Sequence, residues 1–187
     1  MAINIQGTGW LTRTAYGSKK LNRSAEYASR TTLCGLGKLD GFFSYPVKSF
    51  GRFDEVSQRV CYVTALAMQD AGLDYSKDWK QNVGLIGTDL YGCEQANFNY
   101  FEDYMEGGRT MARANLFIYT LPSSPLAEAA VHFGLQGPLL YLRNQDESVG
   151  SLLTTAQRMI AEGQAERMLV YELTGDLDQC HVIGPAN

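Results

Sequence analysis

The side chains able to carry covalent or acid–base chemistry are few in this chain. Cysteines stand at positions 34, 61, 93 and 180, and no two have the CxxC spacing of a metal or dithiol redox motif. Histidine occurs only at 132 and 181. Scarce imidazole restricts the supply of general bases that a nucleophilic cysteine or serine requires. Ser123 and Ser148 lie outside any GxSxG turn and have no base beside them in sequence. Cys93 follows a Gly-Thr-containing turn and is a candidate displaced thiol. Cys61 falls on the apolar side of a helical pattern, where a cysteine acts as a small hydrophobe. The acidic pair Asp146-Glu147 precedes a helical pattern, where carboxylates cap free N–H groups and complement the helix dipole.

The elements that must position these groups follow from periodicity. Apolar residues in 2–12 and 82–87 predict short strands. Val56, Val60, Val63, Leu66 and Ala67 recur at helical spacing, with Asp54 as N-cap and Gly72 as stop. Helices are also expected over 94–106, 125–133 and 148–162, and strands over 138–143 and 168–173. His181 to Gly184 reads as a last short strand. Residues 13–50, broken by Gly17, Gly35, Gly37, Gly41 and Pro46, read as an irregular cap or dimer-contact excursion. Strands alternating with helices predict an α/β domain with a mixed, mostly parallel sheet packed between helices. No linker divides the chain, so residues 1–187 form one domain.

Composition narrows the partners. The chain has 187 residues, is 45% hydrophobic, and carries a formal net charge of -4. Without a basic stripe it does not fit nucleic acid. No apolar run reaches the roughly 18 residues of a membrane helix. The N-terminal sequence does not read as a signal peptide, which points to a cytoplasmic chain in which disulfides are not expected. Neither a metal nor a cofactor is called for.

Residues 121–138, Leu-Pro-Ser-Ser-Pro-Leu-Ala-Glu-Ala-Ala-Val-His-Phe-Gly-Leu-Gln-Gly-Pro, make the reading specific. This stretch resembles the segment that precedes the nucleophile strand in β-ketoacyl synthases of the thiolase superfamily. Residues 3–12, the helix ending in Asp70-Ala71-Gly72-Leu73, the Gly87-Thr88…Gly92 turn and the joint at 163–170 are similar to that family in order and spacing. The resemblance implies a thiolase-like half-fold, because the chain reaches only to about the end of the family's first half. It also implies a nucleophile at the sharp turn between a strand and a helix. Counting from Pro138 puts Asp146 at that place, with Gln145 and Ser148 as neighbours. A shift of one residue would instead put Gln145 there, as in chain-length-factor subunits. Neither residue is a thiol, and neither His132 nor His181 matches the histidine pair of the family's second half.

The resemblance therefore implies a non-catalytic ketosynthase-like subunit in fatty-acid or polyketide assembly. Its partners would be an acyl carrier protein or acyl thioester, and it would form a homodimer or a heterodimer with a full ketosynthase. Phe98, Phe101, Phe117 and Tyr119 are the expected acyl-pocket side chains. Arg109, Arg113, Lys19 and Lys20 could meet an acidic carrier, although a solvated surface is the better explanation of them. A half-fold is expected to leave one sheet edge and one apolar helix face in need of a partner. Two alternatives stay open: an active acyltransferase with a relocated nucleophile, most plausibly Cys93, and an interaction module with no acyl ligand.

Overall fold

The computed structural model describes residues 3–26, 42–89, 92–110, 113–143 and 149–185. The strands are β1 (Asn4–Thr12), β2 (Ala15–Ser18), β3 (Arg23–Glu26), β4 (Val83–Asp89), β5 (Leu139–Tyr141), β6 (Arg167–Leu173) and β7 (Leu177–Gly184). The helices are α1 (Glu55–Ala71), α2 (Glu94–Glu106), α3 (Ala114–Phe117), α4 (Ser124–Phe133) and α5 (Val149–Ala161). All the strands join one sheet in the order β3-β2-β1-β7-β6-β4-β5.

The α/β class and the mixed sheet agree with the sequence. The expectation of mostly parallel pairing needs correction: among the described strands β4–β5 and β4–β6 pair parallel, and the other strand pairs are antiparallel. Two local causes account for this. Short turns fold β1, β2 and β3 into a meander. A tight turn at 174–176 sends β7 straight back along β6, with Thr174 and Gly175 donating their N–H groups to Asp178 Oδ1 at 3.1 Å.

Two further expectations change. The excursion read as irregular over 13–50 contains the β2–β3 hairpin, and residues 27–41 lie outside the described part. The last short strand is an eight-residue central strand between β1 and β6. Its polar start hid it, because Asp178 reads as surface and is buried.

Helix placement follows from chain handedness. The chain steps outward from β4 to β5 and then back across β4 to β6. Right-handed crossovers in opposite directions must use opposite faces of the sheet. Accordingly α4 lies with α1 on one face and α5 lies on the other. Side-chain alternation makes two cores. Leu85, Leu169, Tyr171 and Val182 pack with α1 and α4. Ile86, Met168, Val170 and Ile183 pack with Leu152, Ala156 and Met159 of α5. The outward positions of α5, including Ser151, Thr154 and Arg158, are exposed and polar. The apolar helix face expected from a half-fold is therefore not found on α5, whose apolar residues are already used against the sheet.

α1 packs with its backbone directly against β1. A Cβ on Gly9 would stand 2.5 Å from Ala67 N and Val63 O, and one on Gly7 would meet the backbone of Ala71 and Ala67. At the end of α1 the buried Asp70 carboxylate accepts N–H bonds from Thr8 (2.8 Å), Lys20 (3.0 Å) and Leu21 (2.7 Å). Burial alone would raise its pKa, but these donors outweigh burial and hold it below the ordinary value. Asp54 caps the other end of α1 through Ser57 N (2.9 Å), and Gly72 closes it in the left-handed conformation.

Gly9→Ala is expected to cost about 3 kcal/mol or more, because helix backbone cannot yield to a methyl group. Gly51→Ala, where an added Cβ meets nothing within 4 Å, should leave urea unfolding nearly unchanged. Equal midpoints for the two variants would refute the close-packing account.

Candidate functional site

A cleft of about 780 Å³ opens at the carboxyl ends of β4 and β6, marked by Asp89 and Leu173. Such crevices are the usual ligand positions of parallel strands. Three helix starts line it: Asp54–Val56 of α1, Cys93–Ala96 of α2, and Pro122 with Pro125 at α4. Each start follows from local sequence. Asp54 caps α1, a glycine turn delivers Cys93 to the head of α2, and proline fixes the first turn of α4.

The floor carries a buried ion pair. Arg59 Nε donates to Asp178 Oδ2, and Arg59 Nη2 donates to Gly175 O at 2.8 Å. Burial pushes the Asp178 carboxyl above its ordinary value, and Arg59 with the turn N–H groups only partly offsets this. The pair ties α1 to the β6–β7 turn. At the wall, Tyr119 is 8% exposed, and its hydroxyl faces Glu128 Oε1 at 3.4 Å. Burial raises Glu128, as does the nearby negative charge of Asp54, while the Tyr119 bond lowers it.

The expected acyl-pocket residues divide. Phe98 and Tyr119 line the cleft. Phe101 does not, and is 61% exposed on α2. Phe117 sits outside the lining and packs its ring on Tyr100 at 5.5 Å. Asp146, Gln145 and Ser148 lie outside the described residues. Arg113 is held by Asp103 at 2.5 Å. Sequence reasoning missed Arg59 and Asp178. An arginine inside the apolar stripe of α1 was the available signal, since a charge there must find a partner.

Cys93 is the cleft's sulfur. Its Sγ donates to Thr120 O (2.8 Å) and accepts from Asn97 Nδ2 (2.9 Å). Among the residues lining the cleft there is no histidine. Cys61 and Cys180 are buried, and burial pushes both thiols far up. Among the described residues no cluster of His, Cys, Asp and Glu could hold a metal, and no helix is long and apolar enough to cross a membrane.

The histidines occupy two interior sites away from the cleft lining. His132 of α4 is packed among Phe43, Tyr45, Tyr75 and Phe133, and its Nε2 is buried without a hydrogen-bond partner among the described residues. His181 Nδ1 pairs with Thr8 Oγ1 at 3.0 Å. Burial lowers both to about 4, with the Lys19 charge adding to the effect at His181.

With this geometry in place, the chain can be set beside known structures. No family model and no curated protein matches its sequence. Solved structures do match its fold. A β-ketoacyl synthase from Burkholderia phymatum STM815 superposes with a TM-score of 0.68 at 16% identity, over 98% of this chain and 59% of that one. A ketosynthase in complex with its chain length factor, from Xenorhabdus doucetiae, gives 0.66 at 8% identity, over 100% and 80%. The ishigamide ketosynthase/chain length factor gives 0.65 at 12% identity, over 100% and 63%. The fold is therefore that of the thiolase-like ketosynthases. This chain spans 59% of the length of the Burkholderia synthase.

Two outcomes are expected from the site. In a Cys34→Ala background, a maleimide should label Cys93 in the native protein, and Cys61 and Cys180 only after unfolding. Labelling of all three at equal rates would contradict the burial pattern. The second outcome concerns pH. In the unfolded chain each histidine protonates near its ordinary 6.5, while the folded chain resists to about 4. The unfolded state then binds more protons over that interval, so stability is full above about pH 7 and falls as pH drops toward 4. Thermal unfolding at about pH 7.5 and pH 5 should show the decline, and His132→Phe should flatten it. A variant with an undiminished slope would remove His132 from the explanation.

Proposed function

We propose that this chain acts as a non-catalytic ketosynthase-like subunit in fatty-acid or polyketide assembly, contributing an acyl-binding wall or pairing with a complete ketosynthase. One observation carries the reading: the ketosynthase fold runs through the whole chain. With it goes the expectation from the resemblance, which counts from Pro138 to Asp146 or Gln145, and to no cysteine, at the ketosynthase nucleophile position. A carboxylate there would form a reactive mixed anhydride with an acyl group and attacks thioesters far less well than a thiolate. The cleft supports the acyl-binding part, since its wall carries Phe53, Val56, Phe98, Leu116 and Tyr119. An acyl carrier protein would deliver the thioester.

A second reading draws on Cys93. The thiol is partly exposed, lines the cleft and sits at the start of α2. Against it stands the absence of a histidine from the lining, the imidazole that commonly activates a nucleophilic cysteine. The test is incubation with acyl-coenzyme A and acyl-carrier thioesters of several chain lengths, followed by intact mass under denaturing conditions and a thermal shift assay. The expected result is an unchanged covalent mass with a raised melting temperature. An adduct mapped to Cys93 would replace the proposal with an acyltransferase. Neither an adduct nor a shift would leave an interaction module without an acyl ligand.

A further inference from the structure

We propose that residues 42–53 form an acid-released strap, latched at His132, whose release loosens one wall of the cleft. The strap packs against the core but pairs with no strand among the described residues. None of its residues is fully buried. Side chains hold it instead. Ser44 N donates to the Tyr75 hydroxyl at 3.0 Å, the Tyr45 hydroxyl donates to His132 O, and Gln69 Nε2 donates to Phe42 O at 3.3 Å. Phe43 stacks on Tyr62 of α1, with ring centroids 5.3 Å apart. A segment held in this way can open by itself while both cores stay closed.

The latch is built around one imidazole. Phe43 and Tyr45 of the strap approach the His132 ring at 5.5 and 4.5 Å, and Tyr75 and Phe133 at 5.9 and 4.7 Å. His132 is 7% exposed, and its Nε2 has no hydrogen-bond partner among the described residues. Whichever nitrogen holds the proton of the neutral ring, the charged ring donates at Nε2 too. The groups packed around it supply no counter-charge. Tyr45 from the strap and Tyr75 from the segment after α1 are neutral phenols, both raised chiefly by burial. Cys61 of α1, beside Tyr75, is a buried neutral thiol. Glu128, one turn earlier on α4, faces Tyr119. Asp78 acts on Tyr45, and no ion pair joins it to His132. The rings attract a cation, but they recover only part of the hydration it gives up. Moving Phe43 and Tyr45 aside returns the charged ring to water.

The same rings lead to the cleft. Phe43 meets Phe50 at 5.7 Å, and Phe50 meets Phe53 at 5.8 Å. Arg52 and Phe53 line the cleft. Without Phe43, Phe50 loses its backing, and Phe53 loses Phe50 in turn. Gln58 Nε2 still donates to Phe50 O (3.4 Å) and Phe53 O (3.1 Å), so this end loosens and stays attached to α1.

Burial holds the His132 pKa at about 4 with the strap closed, against an ordinary 6.5. The open strap therefore binds the proton more readily, so closure is full above about pH 7 and is lost as pH falls toward 4. The opening constant should rise at least about tenfold between pH 7 and pH 5. The strap does not depend on the acyl-handling reading, and its test uses no ligand. Amide exchange, resolved by NMR and corrected for intrinsic rates, follows Ser44, Arg52 and Phe53, whose N–H groups are bonded. All three should be less protected than Leu169 of β6 at both pH values, and at least tenfold less protected at pH 5 than at pH 7. His132→Phe should abolish that fall, and His181→Asn should keep it. Should His132→Phe fail to fold, Phe43→Leu should lower the protection of Ser44 and Phe53 at pH 7 severalfold. Protection equal to that of Leu169 would mean whole-chain unfolding and overturns the proposal. So does a fall that persists in His132→Phe, no fall at all, a response at Ser44 without one at Phe53, or strap amides indifferent to Phe43→Leu.

Discussion

The contact between α1 and β1 sets the rest of the structure. Helix backbone lies directly on strand backbone because Gly7 and Gly9 present no side chain to it. Asp70 then locks the junction by collecting three backbone N–H groups, two of them from the turn that starts β3. One carboxylate therefore fixes the helix end, the strand and the meander together. At the other end of α1, Arg59 reaches the β6–β7 turn through Asp178. The same helix thus holds β1 at Thr8 and β7 at Asp178. A buried ion pair is weak evidence for net stability, since desolvating both charges offsets much of their attraction. Its effect here is to fix which turn faces the head of α1, and hence where the cleft floor lies.

The sequence was most legible where pattern and chemistry agree. The Asp54 cap, the Gly72 stop, α4 between its proline and Gly134, and the amphipathic α5 all formed close to their expected bounds. The Phe-Gly-Leu-x-Gly-Pro turn also behaves as its residues suggest. Gly134 takes the left-handed cap, Gly137 passes 2.5 Å (measured from an added Cβ) from Gly84 N, and Pro138 O accepts from Leu85 N at 2.8 Å. The Asp-Ala-Gly-Leu segment was visible as a motif, whereas the three donors of Asp70 lie far away in sequence and left no local sign.

What could not be read shares one cause: side chains whose partners are remote. β7 looked too polar to be central because Asp178 is satisfied by an arginine of α1. The β2–β3 hairpin was hidden among glycines and polar residues, and its order comes from pairing to β1. The aromatic run of α2 and α3 suggested a single pocket. The structure divides it between a cleft wall (Phe98, Tyr119) and an outer stripe, which periodicity alone does not distinguish when all sides of a helix carry large residues.

The absence of buried residues in α2 has a further meaning for how such a chain can change over time. Apart from the buried Tyr119, the described residues between β4 and α4 stand outside both cores, and they form one wall of the cleft. Substitutions at the exposed positions of α2 touch neither the sheet nor the α1 junction. Cleft shape and surface character can therefore diversify with little cost in stability, while the glycine contacts and the Asp70 clamp admit almost no variation. The molecule thus sets a close-packed frame of sheet and α1 beside an exposed rim, and substitutions are better tolerated at the rim.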